Sequence, residues 1–137
     1  MPSDDPLKTV RWRFAGEPAQ VGRARRFVAG VLGEEWPTLA DVTLLTSEVV
    51  SNAVQHTASG KGGSFEVAVS MGAATVRVEV RDEGAGSVPQ VADAGGSDML
   101  TGGRGLVIVD MVADRWGHDG DELGRVIWFE VTGKAAD

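Results

Sequence analysis

Cysteine is absent from the 137 residues, which removes disulfides, thiolate metal sites and thiol nucleophiles together. Basic residues are scarce: thirteen Lys and Arg stand against twenty Asp and Glu, a net charge of −7. A sequence-independent hold on DNA or RNA depends on a field of Lys and Arg, so no nucleic-acid partner is expected. The same charge disfavours an anionic membrane surface. No run approaches the roughly 18 to 20 apolar residues of a membrane span. The start, Met1-Pro-Ser-Asp-Asp-Pro6, is acidic and precedes no apolar run, so no leader is read there and the expected compartment is the cytoplasm. The pattern G-x-x-x-x-G-K-[ST] occurs nowhere, and no G-x-G-x-x-G follows an early strand. A P-loop and a dinucleotide fold are thereby disfavoured.

What is present is the balance of a soluble globular chain, 42% hydrophobic and 24% charged, with room for one domain. Residues 1–7 read as a disordered tail and 8–133 as a single domain. From Lys8 to Phe14 the residues alternate, Val10, Trp12 and Phe14 facing one way and Thr9, Arg11 and Arg13 the other, the period of a half-buried strand. Gly16-Glu17-Pro18 breaks the strand and opens a helix, in which Val21, Ala24, Phe27, Val28, Val31 and Leu32 recur at helical spacing. After Trp36-Pro37-Thr38 a second helix carries Leu39, Val42, Leu45, Val49 and Ala53 in one stripe and runs to about Thr57. Phe65 to Met71 and Thr75 to Arg81 form a predicted hairpin around Gly72-Ala73-Ala74. A long glycine-rich connection fills Gly84 to Gly103, a length that is usually functional or disordered. A helix resumes from Gly103 to about Asp114, and Arg115 to His118 and Arg125 to Thr132 close the chain as two strands around Asp119-Gly120-Asp121. The order β-α-α-β-β-loop-α-β-β predicts an α+β fold: a two-layer sandwich with helices packed on one face of a mixed, largely antiparallel sheet.

Three short constellations bear chemistry. In Glu48-Val-Val-Ser-Asn52-Ala-Val-Gln-His56, Glu48 and Asn52 stand four apart, about 40° around the helix axis, and point into the same space. A carboxylate there can take a proton and an amide oxygen can bind a hard cation such as Mg²⁺; a polar patch on an amphipathic helix is the plainer alternative. Asp82-Glu83-Gly84-Ala85-Gly86 ends a strand. It is either an ordinary turn or an acceptor for an exocyclic amine, with glycines that let backbone approach a flat ring. Gly102-Gly103-Arg104-Gly105-Leu106 opens a helix, where unpaired N–H groups suit phosphate, or else it is only a flexible lead-in.

Taken together and in this order, the three resemble the boxes of the GHKL ATP-binding fold (gyrase, heat-shock chaperone, histidine kinase, mismatch-repair type). The small size of the chain makes it similar to the anti-sigma factor serine/threonine kinase family, over about Thr9 to Thr132 and including Asp114-Arg-Trp-Gly117. A histidine kinase would carry a phosphorylatable His upstream, and the 47 residues before Glu48 hold none. The resemblance implies ATP and Mg²⁺ as ligands, with Glu48 as general base and Asn52 as the Mg²⁺ ligand. It gives Asp82 the adenine amine, and Gly84 and Gly86 the purine pocket and the hinge of a lid at about 87–101. Gly103, Arg104 and Gly105 would hold the phosphates. His56 closes the helix motif, more in keeping with a structural role, and His118 reads as a surface residue.

By the same resemblance the partners are a sigma factor and an antagonist protein, bound exclusively of one another, the antagonist being phosphorylated on a serine or threonine. Three readings stay open: a protein-serine kinase that sequesters a sigma factor, a nucleotide-gated binding module with little or no kinase activity, and a scaffold in which all three boxes are only structural. The stretch Ser87 to Thr101 carries no Lys or Arg to meet a terminal phosphate, which favours the second. Arg23, Arg25 and Arg26 form either a solvated helix face or a docking surface for an acidic partner. The first strand is a candidate edge for a homodimer.

Overall fold

The structure, a computed structural model, describes residues 8–56, 63–83, 104–121 and 124–133. The elements run β1 (Lys8–Ala15), α1 (Gln20–Leu32), α2 (Leu39–His56), β2 (Ser64–Met71), β3 (Thr75–Asp82), α3 (Arg104–Val112), β4 (Arg115–Asp121) and β5 (Gly124–Thr132). This is the order expected from the pattern. The sheet has five strands in the order β1-β2-β3-β5-β4. Among the described residues every pairing is antiparallel, in keeping with the largely antiparallel sheet expected.

One face of the sheet is apolar because alternate residues of the central strands are branched or aromatic. Phe65, Val67 and Val69 of β2, Val76, Val78 and Val80 of β3, and Ile127, Phe129 and Val131 of β5 are all buried. The helices cover this face. Leu45, Val49, Val50 and Ala53 of α2, Ala24 and Val28 of α1, and Leu106 and Val109 of α3 complete the core. At one end Phe14 stacks on Phe65, centroids 5.3 Å apart, and meets Phe27 edge-on at 5.8 Å. The helices lie over the centre, so edge strand β1 buries only Phe14. Trp12, in phase with it, stays 64% exposed, and the half-burial expected along β1 holds at one end alone.

Helix boundaries follow local chemistry. The α1 helix ends where Gly33 takes φ 90° and donates its N–H to Ala29 O, a glycine C-terminal stop. At the start of α2, Asp41 lies in the first turn, where a negative charge meets the positive end of the helix dipole. One expected turn is corrected: Asp119-Gly120-Asp121 is not the connection but the end of β4, paired with Val126, Arg125 and Gly124. Gly120 holds φ 109°, a backbone value that glycine supplies without steric cost, so the strand continues where the sequence reads as a turn.

The outer face of the sheet is polar and cross-linked. Arg77 donates to Glu79 at 2.8 Å and to Glu130 at 3.0 Å, and Arg115 donates to Glu130 at 3.1 Å. The Arg77 guanidinium also lies 4.0 Å from the centre of the Trp128 ring. Desolvation pulls the Arg77 pKa down, but its hydrogen bonds and charge interactions with Glu79 and Glu130 outweigh that and raise it.

Candidate functional site

The period of two that builds the core face also carries two charged residues onto it. Asp82 follows Val80 by two in β3, and Arg125 precedes Ile127 by two in β5, so both point to the helix side. The strand register sets them directly opposite one another. Both are buried, and their side chains are 1% and 6% exposed. Arg125 Nε donates to Asp82 Oδ2 at 2.9 Å.

The second helix closes the group from above. Asn52 stands three residues after Val49 and seven after Leu45, both buried, so the inward stripe of α2 ends on an amide. Its Oδ1 accepts a bond from Arg125 Nη2 at 2.5 Å. Asn52, Asp82 and Arg125 thus meet in one buried polar cluster contributed by α2, β3 and β5. A charged group leaves water this completely only when paired and hydrogen-bonded, and here a carboxylate and an amide oxygen share one guanidinium.

Of the residues singled out from the sequence, the structure brings Asn52 and Asp82 together through Arg125. Glu48 lies half-buried one turn before Asn52. Among the described residues its carboxylate enters no ion pair and no part of the Asp82–Arg125–Asn52 chain. Gly84, Gly86 and Gly103, with the lid expected at 87–101, lie outside the described residues, as do the side chains at Arg104, Gly105 and His56. His118 is exposed on β4, as expected.

Arg125 was not singled out from the sequence, although a signal for it exists. In Arg125-Val-Ile-Trp-Phe-Glu-Val131 the arginine is in phase with Ile127, Phe129 and Val131, the three buried residues of the strand. A cation at a core-facing strand position requires a buried anion opposite it, and Asp82 is that anion.

Asp82 is a buried carboxylate at a strand end, an acceptor of the type the amine of a purine takes, and its Oδ2 already accepts from Arg125 Nε. The Asn52 oxygen is a hard donor of the type Mg²⁺ takes, but in this structure it is bonded to a cationic nitrogen. As it stands, that oxygen does not fit a metal. Among the described residues no group of three or more His, Cys, Asp or Glu side chains is placed to hold a metal ion.

A separate groove of about 450 Å³ opens between α1 and α2, lined by Arg25, Arg26, Trp36, Pro37, Leu39 and Thr43 among others. It contains none of Glu48, Asn52, Asp82 or Arg125.

Comparison with known proteins agrees with the fold. A solved structure of the catalytic domain of histidine kinase ThkA, in a nucleotide-free form, superposes with a TM-score of 0.53 over 90% of this chain and 95% of that one. The sequence identity is 16%, so the likeness is one of fold. No curated protein matches the chain. The histidine kinase-like ATPase domain family matches residues 14–131, nearly the whole chain and both strands that carry the buried ion pair. The chain belongs to the histidine kinase-like ATPase domain family.

Proposed function

We propose that this ATP-binding domain is a regulator of the anti-sigma type: it phosphorylates a serine or threonine on an antagonist protein and sequesters a sigma factor. The observation that supports the nucleotide part is the convergence of Asn52 on α2 and Asp82 on β3 within one buried cluster. In this reading Asp82 accepts from the adenine amine, and Gly84 and Gly86 allow close approach of the ring. Gly103, Arg104 and Gly105 offer N–H groups and positive charge to the phosphates at the start of α3. Phosphoryl transfer depends mostly on positioning and charge stabilisation. Glu48 takes the proton of the incoming hydroxyl, a contribution of roughly 10²–10⁴-fold for a general base. Magnesium at Asn52 belongs to the same proposal, and it requires Arg125 to give up the amide oxygen.

The protein partners rest on surface chemistry as well as on resemblance. The groove between α1 and α2 combines Trp36, Pro37 and Leu39 with Arg25 and Arg26 on an otherwise acidic chain, which suits an apolar segment bearing acidic residues. Strand β1 is a sheet edge with Trp12 exposed, which suits pairing with a second copy.

Incubation with γ-labelled ATP and a candidate antagonist tests the catalytic part. Label is expected on a serine or threonine of the antagonist, and Glu48→Ala is expected to abolish transfer while retaining nucleotide. Transfer by Glu48→Ala at the wild-type rate removes Glu48 from the role of base. A second reading, a nucleotide-gated binder without useful catalysis, is favoured by the absence of Lys and Arg from Ser87 to Thr101. ATP uptake with no label on any antagonist that binds the chain selects it.

A further inference from the structure

The oxygen assigned above to magnesium is already bonded to a cation. Arg125 spans the cluster, with Nε on Asp82 Oδ2 and Nη2 on Asn52 Oδ1. Its guanidinium has only donors to offer. The residue is 5% exposed, so little water screens its charge from a neighbour. It is also held from two elements, by a carboxylate on the paired strand and by an amide on the overlying helix. A magnesium ion bonded to the same oxygen, at about 2.0–2.1 Å, would stand beside that nitrogen with like charge and no intervening ligand. Like charge at one oxygen therefore sets the two cations against each other.

We propose that Arg125 is a built-in competitor of Mg²⁺ at Asn52, so that this chain takes up ATP with little assistance from the metal. Its guanidinium, shared between Asp82 and Asn52, already stands where the metal would bring its charge. A metal bond to Asn52 forms only when Arg125 releases the oxygen. The inference rests on the nucleotide reading and adds to it a residue that sets metal dependence. Competition of this kind is a coupling between two ligands of one site and shows as a ratio of affinities. A residue that only braces the fold would change affinity with and without metal by the same factor and leave the ratio alone.

Calorimetric titration of the chain with ATP, once in excess Mg²⁺ and once in EDTA, gives that ratio directly. For the wild-type chain the two Kd values are expected to agree within about threefold. In Arg125→Gln, magnesium is expected to tighten ATP at least about tenfold more than it does in wild type, within the usual range of site–site coupling. Arg125→Gln leaves a buried carboxylate without its counter-charge and can fail to fold. Arg125→Lys covers that case, because it keeps a charge beside Asp82 but has one nitrogen, which cannot bridge both partners. It is expected to move the ratio in the same direction. A wild-type ratio of about tenfold or more overturns the proposal, and so does a ratio that neither substitution changes. If neither wild type nor a folded variant takes up ATP in either buffer, the nucleotide reading itself falls, and the role of Arg125 falls with it.

Discussion

At the scale of single residues, the energetics concentrate on Asp82 and Arg125. Two ions this far from water are costly to bury, and their attraction offsets the desolvation only while both are present. Removing one partner typically costs about 3–5 kcal/mol. Asp82→Asn and Arg125→Gln are therefore each expected to destabilise the chain, and the double variant to cost at least about 1 kcal/mol less than the sum of the singles. Urea midpoints for the four chains measure this coupling. Strict additivity would mean that the pair seen between β3 and β5 contributes nothing specific. Asp82→Asn is also expected to weaken ATP by about 1–3 kcal/mol, the cost of spoiling a buried polar contact, measured by calorimetry on the folded fraction. Unchanged ATP affinity in that variant would take Asp82 out of base recognition.

Among the elements, the outer face of the sheet shows how a strand tolerates a large ring. Trp128 on β5 lies against Gly117 on β4, where an added Cβ would come 2.9 Å from the ring, with the Arg77 guanidinium also 4.0 Å from the ring centre. Gly117→Val is expected to push the ring away and cost about 1–3 kcal/mol by overpacking. The α1 helix offers the opposite case. Gly30 lies inside it, exposed, with nothing within 4 Å of an added Cβ. Gly30→Ala is expected to stabilise by about 0.5–1 kcal/mol through helix propensity. Thermal unfolding of both variants checks the pair, and a gain at Gly117 or a loss at Gly30 would contradict the packing described. Arg77 adds nothing that neutral or mildly alkaline pH can change. Its raised pKa keeps its contribution in place below the unfolded-state value, and that contribution is lost only as pH climbs past the folded-state one. Salt therefore acts on this network more than pH does.

For the whole molecule, net charge and site chemistry pull in opposite directions. The chain carries −7, and ATP brings about four more negative charges, so their encounter is opposed at long range. On the proposed reading the cations that favour binding are local, Arg104 at the phosphates and Arg125 where it is shared with Asp82. The association rate of a fluorescent ATP analogue is accordingly expected to rise by a few-fold when salt is raised from about 20 to 150 mM, because screening removes the repulsion before it weakens buried contacts. Stopped-flow mixing measures it. A rate that falls with salt would indicate a positive field at the entrance that the net charge conceals. No described helix is long and apolar enough to cross a membrane, in keeping with the short apolar runs of the sequence.

The elements themselves were determined locally. Alternation at Phe65, Val67 and Val69 and at Ile127, Phe129 and Val131, with the three- and four-residue spacing of Leu45, Val49 and Ala53, leaves each segment one way to bury its apolar groups, and the strands and helices follow. The same periodicity put Asn52 on the inward side of its helix and Asp82 at the end of an inward-facing strand. Whether those two residues share a site depends on strand order and on the angle at which α2 crosses the sheet, which no local pattern specifies. Tertiary structure alone sets Arg125 opposite Asp82 across the register of β3 and β5, 43 residues apart in sequence, and brings its second nitrogen to Asn52. Burial of a charge is decided by what lies across from it, and partners that far apart along the chain become neighbours only once the sheet has closed.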